Sequence, residues 1–317
     1  MRALITGVMG FVGKYLAEHL LSQGIEVWGT SRMESPLLRL KNGNLKIVQN
    51  NLDSTDDIHN LLCSIKPNYI FHLAGQSNVK LSWEDKEGTF YANVNKTIFL
   101  LDACVKYQQE NPRMRILTVG SSEEYGKVES SELPIKETTI LRPMSPYGAS
   151  KAAVSMLIQQ YHKAHGLNVI HVRPFNHIGP GQSLGFVVPD FTKQLVQIEK
   201  GEKEKVLKVG NLSAMRDFTD VRDIVEGYYE LVLYGKLGEI YNICSGDGVS
   251  INEILNKLIE LSSSNAIVEV CESKIRPIDI PNYIGENSKI KSDTDWIPKY
   301  EIIRTLEDSL NEGRSRK

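Results

Sequence analysis

The sequence predicts an α/β protein, a doubly wound parallel sheet with a second, smaller and discontinuous α/β part on its carboxyl edge. Three observations carry this. Short apolar runs alternate with longer amphipathic stretches, the pattern of parallel strands covered by helices. A glycine-rich turn joins the first apolar run to the first amphipathic stretch. Beyond Arg173 the alternation loosens, and Pro174, Gly179-Pro180-Gly181 and Pro189 punctuate shorter elements.

Taken in order, a first strand ends at Thr6. Val12, Leu16, Leu20 and Leu21 then share a helical face that Gly24 closes. Ile25 to Thr30 and Leu45 to Val48 read as the second and third strands. Asp53-Ser54-Thr55 reads as the cap of a helix bearing Ile58, Leu61, Leu62 and Ile65. Tyr69 to Leu73 makes the fourth strand, Arg115 to Val119 the fifth, Val169 to Val172 the sixth and Ile240 to Ile243 the seventh. Val206 to Val209 and Ile267 to Val270 are strand-like, and Ile251 to Ile259 repeats with helical period. The large domain is therefore expected over 1–173, with a returning strand and helix at about 217–245. The smaller one takes 174–216 and 246–317.

The composition excludes several classes. In 317 residues, 37 basic and 39 acidic side chains leave a net charge of −2, which offers no broad field for nucleic acid or an anionic membrane. No apolar run approaches the roughly 18 residues that span a bilayer, and the chain opens on a strand rather than a leader. Cys63, Cys104, Cys244 and Cys271 are scattered, without metal-ligand spacing, and suit a reducing compartment. A cytoplasmic protein without a metal centre is expected.

The turn Gly7-Val8-Met9-Gly10-Phe11-Val12-Gly13 lies between strand and helix, the context in which such spacing cradles a dinucleotide. Gly7 allows the tight turn, Gly10 lets backbone approach a pyrophosphate, and Gly13 lets helix pack on strand. An acidic residue at the end of the second strand would bind a ribose 2′-hydroxyl. The chain has Ser31 and Arg32 there, a hydroxyl and a guanidinium suited to a 2′-phosphate, so NADP(H) is expected and NAD(H) stays open. Tyr147 and Lys151, four apart on one helical face, pair a phenol with an ammonium that lowers its pKa. Ser121, ending the fifth strand, can hydrogen-bond the same reacting oxygen. This set performs proton exchange at a carbonyl or carbinol.

These motifs resemble the extended short-chain dehydrogenase/reductase family acting on nucleotide sugars, over nearly the whole chain. The resemblance implies a Rossmann sheet and adds Asn51-Leu52 at the adenine, Leu73-Ala74-Gly75 beside the cofactor, and Asn93 as cofactor residues. It implies a substrate set of Gln76, Ser77, Asn176, Val188, Lys193, Arg216 and Arg276, with Asn176 and the two arginines on the diphosphate. His72, His171 and His177 are read as satisfied structural histidines. Glu123, two after Ser121, occupies the position of the C5 base in the family's 4,6-dehydratases. Its role stays open, because the rest of the pattern is closest to reductases of GDP-4-keto-6-deoxy-D-mannose, which form GDP-D-rhamnose. GDP-mannose dehydration and then 4-epimerisation are the alternatives. A non-catalytic dinucleotide sensor is disfavoured by the Tyr147–Lys151 pair. The family implies a homodimer through helices at about 97–107 and 150–165.

Overall fold

Apolar runs buried on both sides require a sheet covered on both faces, and that is how the chain is built. The computed structural model describes residues 1–33, 37–271 and 281–315. Its large sheet contains β1 (Arg2–Thr6), β2 (Glu26–Ser31), β3 (Leu37–Leu40), β4 (Gly43–Gln49), β5 (Tyr69–His72), β6 (Arg115–Val119), β7 (Val169–Pro174) and, later in the chain, Ile240–Ile243. With β8 (Asn176–Ile178), β9 (Val206–Val209) and β10 (Met215–Asp220) intervening, that last strand is β11. The order is β11-β7-β6-β5-β1-β2-β4-β3, and all pairings are parallel except that of β3 with β4.

The seven strands read from sequence are all in this sheet. The eighth, β3, was expected as part of a loop. It folds back on β4 through Lys41-Asn42, with Leu40 opposite Gly43 at φ +147°.

Alternate residues of each strand supply two cores. Ala3, Ile5, Val27, Leu117 and Val172 face α1 (Phe11–Ser22), together with Tyr228 and Leu231 from a helix returning late in the chain. Leu4, Ile70 and Ile116 face α2 (Thr55–Ile65), and beyond α3 (Val79–Glu84) and α4 (Lys86–Phe90) they also meet α5 (Lys96–Glu110) and α6 (Pro146–His165). Strand order reverses between β1 and β5, which opens the crevice where ligands of such sheets bind.

The rest forms around a third apolar cluster. It is built by α7 (Val187–Glu199), β9 and β10, while α8 (Val221–Tyr234) carries the chain back onto the large sheet. After β12 (Gly248–Ser250), α9 (Ile251–Leu261) adds Ile254, Leu255 and Leu258 to that cluster. β13 (Ile267–Val270) pairs with β9, and β10 lies between β12 and β14 (Asn282–Tyr283), with β8 also against it. α10 (Ser288–Thr294) precedes α11 (Ile302–Ser315), which contributes Leu306 and Leu310. Among the described residues no helix is long and apolar enough to cross a membrane.

Candidate active site

One cavity of about 1960 Å³ runs along the carboxyl ends of β1, β2, β5 and β6 and on toward β8, α7 and β10. At its floor the turn after β1 is shaped by missing side chains. Gly7 has φ +71°, and a Cβ there would lie 2.8 Å from the Ala74 amide. A Cβ on Gly13 would lie 2.7 Å from the Gly7 and Val8 carbonyls, so α1 packs directly on the turn. Gly10 caps α1 with no side chain over it and no acidic residue in the first turn. The open amides and dipole of that end fit a pyrophosphate.

Ser31, Arg32, Asn51 and Leu52 line one end of the cavity. Leu52 holds φ +58° because Asn50 Oδ1 accepts its amide at 2.8 Å, and Lys96 Nζ donates to the Asn51 carbonyl at 2.6 Å. Phe11, Val12, Leu73, Ala74 and Gly75 line its middle. Asn93 does not line it. Only 2% exposed, it accepts from Gln76 N at 2.7 Å and donates to Gln76 O at 3.0 Å and Ser150 Oγ at 2.9 Å. A π-helical turn over Tyr91–Asn95 sets its orientation. The expected cofactor contact is thus a strut behind the cavity, tying the Gly75-Gln76 loop to α6.

At the reacting end, Ser121 ends β6 and caps a short 3₁₀ turn, its Oγ accepting from Glu123 N at 3.2 Å. Ser145 caps α6 through Gly148 N at 3.0 Å, with Pro146 in the first turn, so this helix starts four residues before Ser150. A Cβ on Gly148 would lie 2.5 Å from the Glu123 carbonyl. That close approach seats the first turn of α6 on the Ser121 turn, and Ser121 and Tyr147 both line the cavity. Burial pushes the phenol up, the nearby Ser121 hydroxyl opposes it, and Glu123 and Glu124 add to the rise. Lys151 was expected to lower Tyr147. Its Nζ instead donates to the Val119 carbonyl at 2.8 Å, and burial brings its own pKa down to about 8.

Beneath Ser121 lies a buried network the sequence did not announce. Glu124, fully buried, accepts from Ser121 N at 3.0 Å, His171 Nε2 at 3.2 Å and Arg173 Nε at 2.7 Å. Arg173 also donates to Ser155 Oγ at 2.8 Å and Tyr125 OH at 3.1 Å. Burial works against the carboxylate, and the His171 and Arg173 contacts prevail, holding it below its ordinary value. His171 is pushed down by burial, as is His72, to about 3, between Thr6 at 2.8 Å and Thr97 at 2.9 Å. His177 bonds the Phe175 carbonyl at 3.1 Å and stacks on Phe11.

The far end is lined by Gln76, Ser77, Asn176, Val188 and Arg216, and Glu123 joins them beside Ser121. Buried Asp217 anchors the strand of Arg216, accepting from Ser245 N at 2.8 Å, Ser245 Oγ at 2.6 Å and Gly246 N at 3.0 Å. Lys193 lies apart from these. Helix α7 buries Val188, Phe191, Thr192 and Leu195, which leaves Lys193 exposed on another face and outside the cavity lining. Arg276 falls outside the described residues. Among those residues no group of three or more His, Cys, Asp or Glu side chains gathers as a metal set.

Comparison with known proteins agrees with this arrangement. The family model described as GDP-mannose 4,6 dehydratase matches residues 4–309. The chain belongs to that family. Among relatives of the GDP-mannose 4,6 dehydratase family, it is 30% identical to a GDP-6-deoxy-D-mannose reductase of Pseudomonas aeruginosa over 315 residues, covering 99% of this chain and 98% of that one. The structure of RMD from Pseudomonas aeruginosa complexed with NADPH is similar at TM-score 0.83 and 29% identity, covering 100% and 99% of the two chains. A UDP-glucose 4-epimerase of Thermus thermophilus in complex with NAD matches at TM-score 0.84 and 27% identity, covering 99% of each. The fold of this family member is that of the extended short-chain dehydrogenases/reductases.

Proposed function

We propose that this protein reduces the C4 keto group of GDP-4-keto-6-deoxy-D-mannose to give GDP-D-rhamnose, using NADPH. The observation that carries the reading is that Ser121, Tyr147 and Lys151 line one cavity with the glycine cradle, in a chain matched end to end by a reductase of that class. The cradle formed by Gly7, Gly10 and Gly13 would hold the pyrophosphate, and Ser31 and Arg32 the 2′-phosphate. Bound there, the dinucleotide supplies a hydride.

The protein's own residues do the rest. Ser121 orients the C4 oxygen through its hydroxyl. Tyr147, whose proton burial retains at neutral pH, gives that proton to the same oxygen, so hydride and proton together turn ketone into alcohol. Lys151, which burial leaves with a pKa of about 8, keeps cationic character at neutral pH and would hold a ribose hydroxyl. Arg216 and Asn176, joined by Arg276, take the diphosphate, where a guanidinium fork matches the charge. Gln76, Ser77 and Val188 line the sugar and base. The substrate side comprises 174–216 and 246–317, and 1–173 with about 217–245 forms the cofactor side. The four free cysteines suit the cytoplasm. The half-buried apolar residues Phe99 of α5 and Leu157 of α6 suit a homodimer through those helices.

A second reading rests on Glu123, which lines the cavity beside Ser121. As a base at C5 it would make the protein a GDP-mannose 4,6-dehydratase. The deciding experiment supplies GDP-mannose alone, and separately the keto-sugar with NADPH, following absorbance at about 340 nm and product by NMR. NADPH oxidation with the keto-sugar only, yielding a 6-deoxy-mannose, is expected. Conversion of GDP-mannose without net cofactor change would replace the reductase with the dehydratase.

A further inference from the structure

The cavity continues past Asn176 and Arg216 to the first turn of α7, the end of β9 and the start of α9. With a sugar C4 at Tyr147 and a diphosphate at Arg216, the nucleoside must occupy this far end. Val188, Phe191, Val209, Ala214 and Ile251 line it there, apolar walls of the kind that hold a flat base.

A carboxylate stands at the same end. Among the described residues three acidic side chains line the cavity. Glu123 lies beside Ser121, and Asp85 caps α4 through Gly88 N at 2.8 Å. Asp190, half-buried in the first turn of α7, is the third. Its Oδ1 accepts from Gly185 N at 2.9 Å, across a turn that Gly185 makes with φ +95°. That bond fixes the side chain and uses one of the roughly four acceptor positions of a carboxylate. Lys193, three residues on, lies outside the cavity lining, so the charge that α7 brings to the base is negative. Lys208 lines the same end, but every base offers a lysine an acceptor, so a lysine selects none of them.

A carboxylate only accepts, and the bases differ in what they offer it. Guanine presents two adjacent donors on one edge, N1–H and the 2-amino group, which match the two carboxylate oxygens. Uracil and thymine present a single N–H between two carbonyl oxygens, and those oxygens repel an anion. Adenine sets its amino group beside a bare ring nitrogen, whose lone pair does the same.

We propose that Asp190 reads the base of the nucleotide sugar, accepting from N1–H and the 2-amino group of guanine. The inference rests on the nucleotide-sugar reading of the cavity and deepens it. It names the residue that makes the substrate a GDP-sugar rather than a UDP- or dTDP-sugar. Two charge-assisted bonds suffice for this, because a base lacking either donor leaves a carboxylate oxygen unpaired.

The test measures binding of GDP, inosine diphosphate, xanthosine diphosphate and UDP to the full chain by isothermal titration, for wild type and Asp190→Asn. Inosine diphosphate lacks the 2-amino group, and xanthosine diphosphate carries a carbonyl in its place. Wild type is expected to favour GDP over inosine diphosphate by about tenfold, the loss of one hydrogen bond to a charged group. Asparagine keeps an oxygen for Gly185 N, so the turn is retained, and it adds an amide donor that suits the xanthine carbonyl. Asp190→Asn should therefore weaken GDP on the order of tenfold and bind xanthosine diphosphate more tightly than GDP. A structural role alone cannot reverse a base preference. Wild type that binds GDP and inosine diphosphate alike would overturn the inference and leave the proposed function in place. An asparagine variant that keeps the wild-type order of preference would do the same. Tighter wild-type binding of UDP than of GDP would remove both.

Discussion

Replacing Lys151 with methionine should stabilise the protein at neutral pH while removing its activity. The ammonium is 9% exposed, and burial brings its pKa from 10.5 to about 8. The interval corresponds to about 3 kcal/mol by which folding is penalised for carrying the charge. The sign follows from proton counts. Below pH 8 both folded and unfolded states hold the proton, and the penalty is present in full. Between pH 8 and 10.5 the unfolded chain binds more protons than the folded one, so stability rises with pH, and above 10.5 the penalty is gone. Methionine removes the charge and keeps most of the stem's volume. It also strips the Val119 carbonyl of its 2.8 Å donor, at about 1 kcal/mol. Lys151→Met should thus be more stable than wild type by about 2 kcal/mol at pH 7, and the gap should close by pH 9.5. Urea unfolding followed by the fluorescence of the three tryptophans, at both pH values, reads this directly. A gap that does not change with pH, or a methionine variant less stable at pH 7, would refute the reasoning.

Glu124→Gln leaves Arg173, 3% exposed, without its carboxylate in a buried site. Breaking such a pair costs about 3–5 kcal/mol, on the order of 10 °C in melting temperature, and calorimetry that finds under about 1 kcal/mol would show the network relaxes. Gly148→Ala puts a Cβ 2.5 Å from the Glu123 carbonyl and must push α6 off the Ser121 turn. Turnover should fall on the order of a hundredfold with NADPH affinity held within about twofold, and undiminished kcat would show that the loop gives way.

The sheet was legible because its signals are local. Seven parallel strands each announce themselves by a short apolar run, and the glycine turn by its place between strand and helix. The hairpin strand Leu37–Leu40 was not legible because its two-residue turn, Lys41-Asn42, is not one of the Asn-Gly or Asp-Gly pairs that mark such hairpins. Ser121, Tyr147 and Lys151 were legible as types at the right stations of the fold. Their close approach was not, since it depends on Gly148, an unmarked glycine inside a motif, letting two backbones touch. The strut position of Asn93 and the outward face of Lys193 were hidden for a related reason: helical phase over a whole domain, with a π turn inserted before α5, cannot be carried from one motif to the next. Glu124 and Arg173 were invisible as a pair because they lie 49 positions apart with the whole of α6 between them.

The electrostatics of the site bear on the direction of its chemistry. Burial holds the Tyr147 phenol above the ordinary 10, and the Ser121 hydroxyl that opposes this is neutral. Two carboxylates nearby, Glu123 and Glu124, push it further up. A phenol in that setting keeps its proton at neutral pH and acts as a donor, which is what protonating a C4 oxygen requires. A dehydratase begins by taking a proton from a C4 hydroxyl, so it would need Tyr147 lowered, with Lys151 turned toward it. In this structure the ammonium is spent on Val119. The phenol of the ligand-free protein is thus set as a proton donor, the role that reduction of a C4 ketone asks of Tyr147.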